Sequence, residues 1–188
     1  MPKEGGCVDN LDLLRDSALA NVAPTAIETD EVNLNEVSNL RLFQVAVWPE
    51  SIVAVRKKLL EQVGVASALG QGFAVEGDTA AILSVEPLKF WQYGGVPLTV
   101  IPSEGAFLDI SHSRTHLRLT GPGTTNLLNK HMSIDLRPEY FPVGRVASTG
   151  IHHVGVTLWR NEDCFNLFVP RAFAVAIWQI LIASIVGK

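Results

Sequence analysis

The run Ala172–Gly187 (AFAVAIWQILIASIVG) constrains this chain more than any other segment. Only Gln179 and Ser184 interrupt it, and at about 100° per residue they do not build a polar face. A helix that is apolar all round must be buried, in its own domain or against another subunit. Membrane insertion is the rival reading. A bilayer span needs about 17–25 apolar residues, and this run falls short with no basic cluster beyond Lys188. Burial is therefore the expectation, and no membrane partner is expected.

The rest of the chain must supply the remaining core. At 188 residues, with 47% hydrophobic and 18% charged side chains, it is oilier than an average soluble domain. Disorder is excluded on the same grounds. A formal net charge of −4 provides no basic field for phosphates, so nucleic acid is not an expected partner. The charge is uneven: residues 1–40 hold eight acidic side chains against Lys3 and Arg15. We therefore divide the chain into an acidic N-terminal arm, residues 1–40, and a single body, residues 41–188. MPKEGGCVDN holds no secretory apolar run, and Cys7 and Cys164 read as free thiols in a cytoplasmic protein, Cys164 as a small buried residue.

Phe43, Val45 and Val47 alternate onto one face, which predicts a strand over Arg41–Trp48. Pro49 opens a helix whose Ile52, Val55, Leu59, Leu60 and Val63 share one side before Gly64. Residues 65–79 read as a glycine-broken loop. Strands are expected at 79–85, 98–101 and 106–110, with turn-rich segments such as Tyr93-Gly94-Gly95 between them. In Thr115–Thr120, Leu117 and Leu119 face one way while His116, Arg118 and Thr120 face the other. A short helix follows over 124–130, then one or two strands over 145–159 with a break at Gly150, then a strand over 165–169. The last helix starts at Pro170. The class is α+β, with helices packed on a mainly antiparallel sheet.

No catalytic constellation emerges from the residues. His112 and His116 have helical metal-ligand spacing, but in a strand four residues span about 13 Å, too far for one ion. His152 and His153 would point to opposite faces of a strand. Asp109, Ser111 and His112 contain the residue types of a hydrolytic triad, but Ser111 and His112 would project to opposite sides, and no Gly-x-Ser-x-Gly elbow is present. Capping of backbone amides explains them better. Gly121-Pro122-Gly123-Thr124-Thr125 opens a helix but lacks the lysine of a phosphate loop. Catalytic, cofactor-binding and metal-ligating residues are thus all expected to be none.

Read together, residues 109–145 and 164–181 resemble the gamma subunit of heterotetrameric sarcosine oxidase. The residues that carry the resemblance are Asp109-x-Ser111-His112, the Gly121-Pro122 turn and its helix, and Ser133-x-Asp135-Leu136-x-Pro138. Phe141-Pro142-x-Gly144 and Arg171-x-Phe173-Ala174 with Trp178 complete the series. The Asp-x-Ser-His…Gly-Pro segment is also similar to the aminomethyltransferase T-protein, which implies a folate-binding-domain-like fold. The Lys-Gly-Cys motif of the related iron–sulfur maintenance proteins is absent. The resemblance implies a non-catalytic assembly subunit of an enzyme that oxidatively demethylates sarcosine. Its products there are glycine, hydrogen peroxide and methylenetetrahydrofolate, or formaldehyde without folate. FAD, FMN, NAD and tetrahydrofolate would lie on other subunits, and alpha, beta and delta chains would be the partners. The oily closing helix and His152-His153 on a core-like strand leave room for a sister complex acting on another N-methyl amino acid, and the T-protein-like segment suggests a second alternative, a stand-alone folate-binding aminomethyltransferase-like protein.

Overall fold

A computed structural model describes residues 16–22, 24, 26–65 and 68–187. Among the described residues, eleven strands form two antiparallel sheets. The first, of six strands, has the order β1 (Ala26–Glu28), β2 (Asn33–Val37), β8 (Arg114–Thr120), β11 (Phe165–Pro170), β10 (Val154–Arg160) and β9 (Val146–Ile151). The second, of five strands, runs β4 (Ala74–Glu76), β5 (Ala80–Glu86), β6 (Lys89–Gly94), β3 (Leu42–Val47) and β7 (Gly105–Asp109).

Three clusters of buried side chains show how the sheets are stacked. Leu42, Leu83 and Trp91 from the second sheet meet Val146, Trp159 and Phe168 from the first, so the sheets pack face to face. The outer face of the second sheet is covered by α1 (Ile52–Gln62) through Val55 and Leu59. The outer face of the first is covered by α2 (Thr124–Asn129) and α3 (Ala174–Val186), whose Leu127, Leu128, Ile177, Trp178 and Leu181 meet Leu117, Leu119 and Leu167. The α+β class with a mainly antiparallel arrangement is what the structure has. It consists of two stacked sheets between helices, because β8 is apolar or aromatic-facing on both sides.

Several local expectations are corrected. Residues 26–37 are not part of an arm: β1 and β2 form a hairpin on the first sheet, where Leu34 is fully buried and pairs with Leu119. Acidic neighbours masked a short apolar alternation there. Residues 98–101 form no strand. Conversely, β4 lies in the expected loop, and β6 runs through what reads as a turn-rich stretch, with Phe90 and Trp91 on opposite faces serving two different cores. The break in 145–159 falls at His152-His153, where Ile151 pairs with Val154 and His152 takes a left-handed φ of 52°. Both histidines are exposed at that hairpin tip, not on a core-like strand. The last helix is preceded by a 3₁₀ turn over Arg171–Phe173.

The Gly121 turn binds the N-terminal hairpin to the sheet. Gly121 has φ 104°, and a Cβ there would collide with the Glu31 carbonyl and sit 3.2 Å from Val32 Cα. Two residues on, Gly123 N–H donates to that same carbonyl at 2.8 Å. We expect Gly121→Ala to destabilise the fold by about 2–4 kcal/mol, from backbone strain plus the clash. Urea unfolding checks this, with an unchanged midpoint refuting the structural role of the turn.

Candidate functional site

The motif residues are spread along the chain, and the structure gives each a place. Asp109 ends β7 and accepts a hydrogen bond at Oδ1 from Ser111 N–H at 2.9 Å. Ser111 Oγ accepts from Leu42 N–H at 2.9 Å and donates to Leu42 C=O at 3.2 Å. This buried hydroxyl clasps the end of β3 to the crossover between the sheets. It is committed to the backbone, while His112 points to solvent. The three residues form a cap, not a triad. His116 is not beside His112 in any useful sense, since it is fully buried between the sheets.

Further along, Gly121 and Pro122 form the strand-to-helix turn described above. Asp135 is exposed and accepts from the Arg137 guanidinium Nε at 2.9 and 3.0 Å, which holds its carboxyl below the usual carboxylate range. Pro138 is exposed in the same loop. Phe141 is buried, with its ring stacked on Phe165, and its carbonyl accepts from Arg160 at 2.9 Å. Gly144 takes φ 83° and links the sheets, donating to Arg160 C=O and accepting from Ala74 N–H, each at 2.7 Å. Arg171 binds the Asp16 carbonyl through its guanidinium at 2.6 Å, and its N–H donates to Ser113. Phe173 is half exposed, and Trp178 is fully buried with its indole N–H on the Pro24 carbonyl at 3.2 Å.

The sequence reading missed a buried polar network between the sheets. His116 Nε2 donates to Asn166 Oδ1 at 2.9 Å, and burial keeps the ring neutral, so that its lone pair lies on Nδ1. The ring stacks on Phe168 at 4.8 Å and meets the edge of Tyr93 at 5.4 Å. Burial lowers its pKa to about 4, the Asn166 bond opposing and Arg118 adding to the drop. Cys164 is a free, buried thiol raised by burial, while Cys7 lies outside the described residues. The sequence signal for the His116–Asn166 pair was the alternation that sets His116 and Arg118 opposite Leu117 and Leu119.

Two surface clefts flank the β10–β11 turn. One, of about 200 Å³, is lined by Pro122, Thr124, Thr125, Arg160, Glu162 and Asp163 among others. The other, of about 380 Å³, has Trp159 and Val143 beside Glu76, Glu162 and Asp163. Burial, then Asp163 and Glu162, raise the Glu76 carboxyl pKa against the pull of Arg118. Among the described residues, no three His, Cys, Asp or Glu side chains stand together as a metal site. No helix there is long and apolar enough to cross a membrane.

Residues 103–185 match the family described as sarcosine oxidase, gamma subunit family. A sarcosine oxidase subunit gamma from Arthrobacter sp is 29% identical over 116 residues, covering 61% of this chain and 57% of that protein. The chain resembles sarcosine oxidase gamma subunits. The matched stretches span less than two thirds of the length of these curated relatives. The structural likeness is wider. A chain of the heterotetrameric sarcosine oxidase from Corynebacterium sp. U-96, solved in complex with pyrrole 2-carboxylate, superposes with a TM-score of 0.76 at 25% identity, over 91% of this chain and 94% of that one. The glycine cleavage system aminomethyltransferase T from Bartonella henselae shares the fold at a TM-score of 0.59 and 14% identity, over 81% of this chain and 45% of its own.

Two outcomes test these assignments. Ser111→Ala leaves Leu42 N–H unpaired in a buried place, while Leu42 C=O keeps the Ile110 N–H at 3.0 Å, and the variant is expected to cost about 1–3 kcal/mol in urea unfolding. A buried neutral histidine also makes stability depend on pH. The unfolded chain binds the His116 proton below pH 6.5 and the folded chain only near 4, so stability falls as pH drops through that window. The full effect approaches about 3 kcal/mol. His116→Gln, though less stable at neutral pH, should lose less between pH 7 and 4.5 than the parent, and equal losses would show that His116 does not titrate as described.

Proposed function

We propose that the chain is the gamma subunit of a heterotetrameric sarcosine oxidase, acting in the cytoplasm as a non-catalytic assembly subunit beside alpha, beta and delta chains. The observation that carries this reading is the near end-to-end likeness to a chain of one such heterotetramer. The enzyme so formed would oxidatively demethylate sarcosine to glycine, with hydrogen peroxide and methylenetetrahydrofolate, or formaldehyde where folate is absent. FAD, FMN, NAD and tetrahydrofolate would be held by the other subunits.

The side chains support a structural role. Ser111, the one hydroxyl among the motif residues 109–112, is occupied by the Leu42 backbone, and Asp109 by Ser111. Asp135 is paired with Arg137 at the surface and not held in a cavity where a pterin could reach it. The smaller cleft, at about 200 Å³, falls below the roughly 300–1,000 Å³ of ligand pockets, and the larger, at about 380 Å³, lies at the low end of that range. The outer side of α3 is short of charge: Ala176, Gln179, Ala183 and Val186 lie exposed, which suits contact with a neighbouring subunit.

Co-expression with the alpha, beta and delta chains tests the proposal. The expected result is a co-purifying complex with flavin absorbance and sarcosine-dependent peroxide formation. A chain that purifies alone in the presence of those subunits overturns it. Tetrahydrofolate titration of the isolated chain separates the aminomethyltransferase-like alternative, which predicts saturable binding where the subunit reading predicts none. If the complex assembles but turns over a different N-methyl amino acid, the sister-complex reading takes its place.

A further inference from the structure

The β10–β11 turn is a rigid acidic ridge between two clefts. Asn161 Oδ1 accepts from the N–H groups of Asp163 at 3.2 Å and Cys164 at 2.8 Å, and Asn161 N–H donates to the Cys164 carbonyl. Glu162 and Asp163 are exposed and border both clefts. Among the described residues, neither they nor Glu76 form an ion pair within 4 Å.

Independent features on either side of the ridge point to an occupant. In the smaller cleft, Thr124 is 98% buried, yet its hydroxyl has no hydrogen-bond partner among the described residues. A buried hydroxyl without a partner costs free energy, and a donor entering the cleft would recover it. Val143, which lines the larger cleft, is 51% exposed, and three residues before it in the chain Tyr140 is 63% exposed with the Arg137 guanidinium over its ring at 5.0 Å. Tyr140 and Arg137 are held in place by Asp135 and by the backbone bond from Tyr140 N–H to Arg137 C=O. Exposed aromatic and arginine side chains already fixed in position are the usual anchors of protein interfaces.

We propose that this face is a docking surface for a basic segment of a partner subunit, whose lysine or arginine side chains straddle the Glu162–Asp163 ridge while apolar neighbours cover Val143 and Tyr140. The proposal rests on the gamma-subunit reading for the identity of that partner. Charge selects the occupant. An ammonium or guanidinium supplies donors to Glu76, Glu162 and Asp163, and one can also reach the Thr124 hydroxyl. A second copy of this chain would bring the same carboxylates together and repel. The exposed ridge makes complex formation depend on salt, since surface charges are screened beyond about 8–10 Å at physiological ionic strength.

The test uses the full chain co-expressed with its alpha, beta and delta partners, with assembly read by native mass spectrometry and by affinity at low and high salt. The double variant Glu162→Lys, Asp163→Lys keeps Asn161 and hence the turn. It should weaken assembly at least about tenfold and abolish the salt dependence, with an unchanged thermal midpoint. If the midpoint drops, Tyr140→Ala at its exposed position carries the test, again with about a tenfold loss expected. Variants that assemble like the parent overturn the docking surface while leaving the subunit reading intact. A parent chain that ignores the other subunits overturns both. A parent that forms a homodimer broken by the charge reversal overturns the occupant named here.

Discussion

Everything in this fold depends on the two sheets pressing their aromatic faces together. Trp91 and Tyr93 from one sheet meet Phe168 and Trp159 from the other, with ring centroids 5.9–6.1 Å apart and planes steeply inclined. Edge-on rings of this kind add to the area they bury. The arrangement sets the distance between sheets, and with it which residues may lie between them. His116 is tolerated there only because it is neutral, bonded to Asn166 and stacked on Phe168. The helices then need only cover the two remaining apolar faces.

The connections between sheets follow from that packing. Where the chain leaves the second sheet for the first, between β7 and β8, it must turn tightly at the edge of the aromatic layer, and Asp109, Ser111 and His112 are found at this corner. Ser111 holds the exit from β7 against β3, and Gly144 joins the ends of β4 and β10. Arg171, at the exit from β11, reaches back to Ser113 and Asp16. Residue types that look catalytic in sequence thus serve backbone groups at places where the ladder of strand hydrogen bonds is interrupted.

Strong local signals were legible in the sequence. The alternation of Phe43, Val45 and Val47 and the 3.6-residue spacing in α1 each specified their element, because one period dominated, and the closing helix was legible from its nearly unbroken apolar run. The Asp109–Ser111 cap was also legible from its turn chemistry. Elements were lost where a second signal competed. Acidic residues hid Leu34 and the hairpin around it, and Gly94-Gly95 drew attention from the aromatic strand just before them. The two-sheet architecture was not legible from β8, because a His and an Arg opposite two leucines look like a wetted face. The clefts escaped for a different reason. They join positions as distant as 76, 143 and 163, and only the pairing of strands brings those together.

The strand order also has a consequence for how the protein is made. β2 lies beside β8, and β8 beside β11, so the first sheet interleaves residues near 35, 117 and 167. On a ribosome adding roughly 5–20 residues per second, β2 waits several seconds for the strand it will pair with. The second sheet draws on residues 42–109 alone and has no such wait. Synthesis thus favours completion of the five-stranded sheet and α1 first, while the N-terminal hairpin ahead of them stays unpaired. Long-range pairing of this kind slows folding. During that interval the half-built chain is most exposed to wrong associations, and a chaperone or an early-arriving subunit would find β2's open edge before β8 does.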